Sequence, residues 1–280
     1  MFRLIKTQMK IMLNQKGAKI AFYSMMLAVF INYYQNIRIF RDIEKTSIPS
    51  IMELGIFSDN SIWGWYILEF ICFLLVLPGG MSFAIDKKTN FEIYLTARSN
   101  GKYRYITSKI IAVFLTTFIV FSVPLLIELA LNYNAFHCAD KIEMQAISNY
   151  LLEDSGQISI NRKAFMVDEY IYNPELYSFV RIILFGLFAS LMSLVPMAFS
   201  CVCNKFLAYL MIPVFFLVSL FGRTEFKVLG HNIPHNYVKY LIWTNQSLTG
   251  EQIIWFNILL GLVAIGSVLF VYIYEGGKEV

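Results

Sequence analysis

Three charged side chains fall inside otherwise apolar runs: Glu69, Glu128 and Arg181. An ionisable group at membrane depth is costly and needs a partner or a role. Glu69 lies about two helical turns after the start of its run, Glu128 about one turn before the end of its own, and Arg181 about one turn after the start of its own. All three therefore belong near the same end of a bundle. Two readings stay open. In one, each side chain snorkels to the headgroups, or Arg181 pairs with one carboxylate and locks helix packing. In the other, the three line an acidic outer vestibule that meets a cationic or amphipathic cargo. Pro124, one turn before Glu128, can bend its helix and expose that carboxylate.

Other reactive residue types form no constellation. His231 and His235 are four apart with Pro234 between them, and His137 is remote. Two imidazoles without a third ligand make a poor zinc site, so no metal is expected. Cys72, Cys138, Cys201 and Cys203 do not space as a disulfide framework, and Cys201 and Cys203 read as small apolar residues. Asn245-Gln246-Ser247 matches a glycosylation acceptor, a match common by chance. There is no G-x-x-x-x-G-K-[ST] and no H-E-x-x-H. The chain thus carries no nucleotide motor of its own, no expected catalytic residue and no bound cofactor, and nothing in it points to nucleic acid.

The elements that must position these residues follow from composition. Of 280 residues, 58% are hydrophobic and only 15% charged, against roughly 25% charged in an average soluble domain. Lipid solvates such apolar surface; water does not. A membrane helix needs about 20 mainly apolar residues. Candidate spans are Ile20–Tyr34, Trp63–Ile85, Ile110–Leu131, Tyr177–Ser200, Phe206–Phe221 and Gln252–Tyr274. The expected fold is a single all-α polytopic transmembrane domain over residues 1–280 with about six transmembrane helices. Five is the alternative if Ile20–Tyr34 does not cross.

Loop charge sets the orientation. With six spans and both termini cytoplasmic, the inner segments hold thirteen Lys and Arg against four acids, and the outer segments nine against thirteen. That is the positive-inside pattern. Residues 1–17 read as an N-terminal interfacial amphipathic helix. Phe2, Ile5, Met9, Ile11 and Met12 form its apolar side, with Arg3, Lys6, Gln8 and Lys10 largely opposite. An ordinary basic flank is the alternative. The outer segment 132–176 is long and carries apolar runs at 147–152 and 165–172, which favours a small folded cap over a tether.

The most informative stretch is the inner loop 86–109. It mixes six Lys and Arg with Phe91, Ile93, Tyr94, Leu95 and Ala97. Residues 89–98 are expected to form a short helix capped by Thr89 or Asn90, with Glu92 in its first turn and a stop at Ser99-Asn100-Gly101. Such a helix must bury its apolar side on the membrane surface or on a cytosolic partner. A plain topology-setting loop is the remaining possibility.

One arrangement of residues suggests a family. A basic amphipathic start is followed by a span, then a second span ending in Leu77-Pro78-Gly79-Gly80. Next come Asp86-Lys87-Lys88-Thr89, Ala97-Arg98-Ser99, Lys102-Tyr103 and Ser108-Lys109 at the mouth of the third span. This order resembles small bacterial permease subunits of ABC-2 type transporters. The likeness covers nearly the whole chain in layout and is specific in residues only around 78–109. The long segment 132–176 departs from it. The resemblance implies that residues 1–17 are an elbow helix and 89–98 a coupling helix. Phe91, Glu92, Ile93, Tyr94, Leu95 and Arg98 would then contact a separate cytosolic ATP-binding subunit, which would hold ATP and Mg and hydrolyse the nucleotide. It also implies a second permease, identical or paralogous, a multi-pass place in the bacterial cell membrane, and export of a peptide, antimicrobial or other amphipathic cargo. Two further classes remain. A non-transporting sensor, scaffold or immunity protein would recognise a ligand through 132–176. A membrane-embedded enzyme would need paired polar groups deep in a span, and the sequence offers none. Replacing Phe91, Ile93 and Leu95 with Ser separates these classes, because only a coupled transporter should lose partner binding.

Overall fold

The structure, a computed structural model, describes residues 1–41, 54–58, 61–98, 101–136, 165–202, 226–228, 231–233, 240–242 and 249–277. The expected span Phe206–Phe221, most of segment 132–176, and His137, His235, Cys138, Cys203 and Asn245-Gln246-Ser247 lie outside these residues. The described chain is mostly helical. In chain order it forms α1 (Phe2–Asn14), α2 (Lys16–Phe40), α3 (Ile62–Val76), α4 (Ser82–Lys88), α5 (Phe91–Arg98), α6 (Lys102–Ala135), α7 (Val167–Tyr172) and α8 (Pro174–Ser200). A two-stranded antiparallel ribbon, β1 (Phe226–Val228) with β2 (His231–Ile233), precedes α9 (Gly250–Gly276). The ribbon pairs Phe226 with Ile233 and Val228 with His231. It corrects the all-α expectation locally.

Among the described residues, three helices are long and apolar enough to cross a membrane: α6, α8 and α9. They correspond to three expected spans, but α6 begins eight residues earlier than Ile110, so Lys102–Lys109 is helix rather than loop. α2 has 25 residues but is more polar than these three, carrying Lys16, Lys19, Asn32, Gln35, Asn36 and Arg38. The expected single span Trp63–Ile85 is two helices. Pro78 lacks a donor and its ring crowds the preceding turn. With Gly79 and Gly80 it ends α3 in a turn closed by Gly80 N–H to the Val76 carbonyl, 2.9 Å. α4 then starts at Ser82. The 15 residues of α3 extend only about 22 Å, less than a bilayer core of about 30 Å.

α6 packs chiefly on α8, with α2 and α1 along its other sides. One core gathers Met25, Phe57, Ile71, Phe121, Phe185 and Phe256 from α2, α3, α6, α8, α9 and the 54–58 turn. A second gathers Met12, Phe83, Leu95, Tyr105, Met197 and Val271. This second core unites α1, α4, α5, the start of α6 and the last turns of α8 and α9. Both terminal helices therefore reach the end of the bundle that carries α4 and α5. α9 is the outermost long helix. Its Ile254, Ile258, Leu262, Ile265, Leu269 and Ile273 are exposed along one stripe at helical spacing, a surface suited to lipid and not to water.

The N-terminal helix is amphipathic as expected, with one correction. Gln8 does not lie on the wet side; it is buried and donates to Ser108 Oγ of α6, 3.0 Å. Phe2 stays exposed beside Lys6, while Leu4, Ile5 and Met12 face the bundle. After α1 the chain turns at Gln15, which is extended.

Helix α3 is seated through Gly64. A Cβ at that position would overlap the carbonyl oxygen of Ile56, so only glycine lets the 54–58 turn lie flat on the helix. Gly64→Ala is expected to lift that turn and cost about 1–3 kcal/mol, as overpacking does. A fall in the melting temperature of the purified protein checks this.

Candidate functional site

α4 and α5 form a helix–turn–helix at the end of the bundle that carries both terminal helices. Lys87 and Lys88 occupy the last turn of α4, where cations suit the helix dipole. Thr89 donates through Oγ1 back to the Ile85 carbonyl, 2.9 Å, and so closes α4. Asn90 has φ 54°, a left-handed conformation that asparagine tolerates. The chain reverses there, and α5 starts at Phe91 with Glu92 in its first turn and Arg98 in its last. The expected helix 89–98 is therefore two residues shorter, and Thr89 terminates one helix rather than capping the next.

Two adjacent residues fix this unit to two different helices. Asp86 accepts from Lys109 Nζ of α6 at 2.5 Å and from the Tyr105 hydroxyl at 2.7 Å. The Asp86 and Lys109 side chains are almost fully buried. Lys87 reaches the other way. Its Nζ donates to Glu275 of α9 at 2.5 Å and to the Cys201 carbonyl at the end of α8 at 2.7 Å, and it stands 5.9 Å from the centre of the Tyr274 ring. Nearby, Tyr103 of α6 stacks on Tyr272 of α9, and the Thr107 and Tyr272 hydroxyls are 2.6 Å apart. Four helices thus meet around two neighbouring side chains of α4. In the sequence, Asp86, Lys87 and Lys109 stand as inner-loop charges and as part of the 78–109 pattern, and Glu275 as an inner-segment acid, with no pairing among them evident. The signal available was Lys109 itself, an ammonium at the mouth of an apolar run that needs a counter-ion.

α5 divides its six named residues between two faces. Leu95 is 4% exposed and Phe91 packs on the same core. Ile93 and Tyr94 are 66% and 72% exposed, and Arg98 is also exposed. Ile93 and Tyr94 thus form a small exposed apolar surface on a helix whose other face is anchored.

Glu92 is half-buried between these faces. Burial first, and then the negative charge of Glu275, hold its carboxyl above the ordinary 4.5. A raised carboxyl contributes stability in full below its ordinary value, and that contribution is lost as pH rises through the folded value. Wild type and Glu92→Gln should therefore melt alike near pH 4.5 or below, with Glu92→Gln the more stable above it. Parallel curves across the range would remove this role for Glu92.

At the opposite end the three intraspan charges have different surroundings. Glu69 is exposed on α3. Arg181 is buried on α8; its Nη2 donates to the Ile242 carbonyl at 2.5 Å, and its guanidinium stands 5.7 Å from the centre of the Tyr177 ring. Its bonded partner is thus a carbonyl rather than a carboxylate. Glu128 is buried on α6, where Oε1 accepts from Asn32 Nδ2 of α2 and from the Ile56 backbone N–H, both at 2.9 Å. Asn32 also donates to the Leu54 carbonyl and accepts from the Ser61 hydroxyl, both at 2.9 Å. Ser61 in turn caps α3. Beside this network lies a cleft of about 500 Å3, lined in part by Asn32, Asn36, Arg38, Ser58 and Ser61. No sequence signal singles out Asn32, because its partner Glu128 lies 96 positions away.

No family model matches the chain, nor does any curated protein or solved structure. The functional reading therefore rests on the geometry and on the residue pattern at 78–109. Among the described residues no three His, Cys, Asp or Glu side chains gather as a metal site would need.

Proposed function

We propose that this chain is the membrane-spanning permease subunit of an ATP-driven exporter of the ABC-2 type. It would sit in the bacterial plasma membrane with both termini and α5 in the cytoplasm. A separate ATP-binding subunit would dock on α5 and supply hydrolysis, and a second permease, identical or paralogous, would complete the pathway for a peptide, antimicrobial or other amphipathic cargo.

One observation carries the reading: α5 is anchored on one face and bare on the other, and its mount is clamped to the helices that would move. A push on Ile93 and Tyr94 passes through Leu95 and α4 to Asp86 and Lys87, and from them to α6 and α9. A mere topology loop has no need of such bracing. The basic balance of this end supports a cytoplasmic position, and the apolar stripe of α9 supports a lipid or second-permease neighbour.

The test is gentle detergent purification from the native host, followed by mass spectrometry of co-eluting chains. A stoichiometric soluble protein with a phosphate-binding loop supports the permease. Its absence from intact, monodisperse material would overturn the reading in favour of a sensor, scaffold or immunity protein acting through segment 132–176.

A further inference from the structure

The buried network around Glu128 is one hydrogen short. Oε1 of Glu128 has two donors, but Oε2 has none, although the side chain is 1% exposed. One turn further along α6, Asn132 is equally buried and its Oδ1 also lacks a donor. Residues four apart on a helix are neighbours on one face. Two buried acceptors on one helix face, neither with a donor, are each costly.

The neighbouring amides have nothing left to give. The two amide hydrogens of Asn32 go to Leu54 O and Glu128 Oε1, and its oxygen is taken by Ser61. The Asn132 amide points at Leu54 O, 3.5 Å away; turning it over would set oxygen against oxygen. Among the described residues no charged side chain is bonded to the carboxyl either. The 54–58 turn and the contacting residues of α2 carry no charge. On α8, Arg181 donates through Nη2 to the Ile242 carbonyl and stands over Tyr177, its Nε having no bonded acceptor, and Glu69 of α3 is exposed. A metal ion would need more oxygens than the two that are free, since even flexible oxygen sites use six or more. A single hydrogen satisfies both at once.

We propose that Glu128 and Asn132 form a proton-binding site, in which Oε2 of Glu128 carries a hydrogen and donates it to Oδ1 of Asn132. The proton comes from a hydronium ion at the cleft, leaving water behind, and returns to water on release. Asn32 forms part of the cleft wall and also holds Glu128. Movement of α2 and the 54–58 turn away from α6 would admit water, which solvates the carboxylate and takes up the proton. The site thus ties one proton to the closed position of that turn. This inference is independent of the transporter reading.

Infrared spectroscopy of the full chain in lipid nanodiscs at neutral pH tests it. The carbonyl stretch of a protonated carboxyl should be present in wild type and lost in Glu128→Gln, which keeps the shape and the donated hydrogen bond. Asn132→Leu should retain the band at higher frequency, because its acceptor is gone. Glu128→Gln should melt with wild type, whereas Glu128→Ala should melt lower. Loss of carboxylate intensity in Glu128→Gln, or a stretch that responds to sodium ions, would overturn the proposal. Failure of Glu128→Gln to fold would do the same, since a neutral donor at this position is what the proposal requires.

Discussion

Asp86→Ala is expected to destabilise the bundle by about 3–5 kcal/mol, the usual cost of stripping one partner from a buried ion pair. Lys109 would be left almost wholly buried, and the Tyr105 hydroxyl would lose its acceptor. Lys109→Met should be similarly harmful, because it leaves the Asp86 carboxylate in the core. Replacing Asp86 by Leu, Lys109 by Met and Tyr105 by Phe together removes every charge and hydroxyl of the group. Much of the loss should then return, since an apolar replacement of a buried pair is often neutral. Melting temperatures of the single and triple variants decide the matter. Additive losses would mean that the pair supports the structure through something other than mutual compensation.

Ile93→Asp and Tyr94→Asp act on the other side of the same unit and should leave stability almost unchanged, as exposed substitutions do. On the permease reading they remove the centre of the docking face. Association with the ATP-binding subunit should weaken on the order of 10- to 100-fold, the range of an interface hot spot, and ATP-driven transport should fall with it. Leu95→Ser is the contrasting variant. Its side chain lies in the core with Phe83 and Tyr105, so it should lower the melting temperature before it affects any partner. Substituting Phe91, Ile93 and Leu95 all at once therefore mixes two effects that the structure separates. Wild-type partner affinity in Ile93→Asp and Tyr94→Asp would remove α5 as the docking helix.

The long apolar helices were legible in the sequence because hydropathy sums over many residues and needs no partner to be read. α6, α8 and α9 follow from it. The same summation misled at Trp63–Ile85, where the apolar run continues through Pro78-Gly79-Gly80 although the backbone does not. Helical spacing marked the apolar side of residues 1–17 but not the fate of Gln8, because an amide is wet or buried according to what faces it, here Ser108 of α6. The start near Phe91 was readable from turn residues, whereas Ser99-Asn100 of the expected stop lie outside the described residues. The clamp at Asp86 and Lys87 was not. Charge counting records sign and side, whereas pairing with Lys109 and Glu275 depends on helix packing. Glu128 and Asn132 show their spacing of four in the sequence, but the shortage of donors around them emerges only when α2 and the 54–58 turn are in place.

The bond between Lys87 and Glu275 joins residues 188 positions apart. At roughly 5–20 residues per second, translation reaches Glu275 about 10–40 s after Lys87. The other grip, Asp86 on Lys109, spans only 23 positions and is available within a few seconds at that rate. Biogenesis therefore has an order: the mount of α5 is held at Lys109 while the nascent chain is still growing, and it gains its second hold when α9 arrives. A ribosome that stalls before α9 leaves behind a protein whose helix α5 is present but only half secured, a state that membrane quality control has a physical basis to recognise.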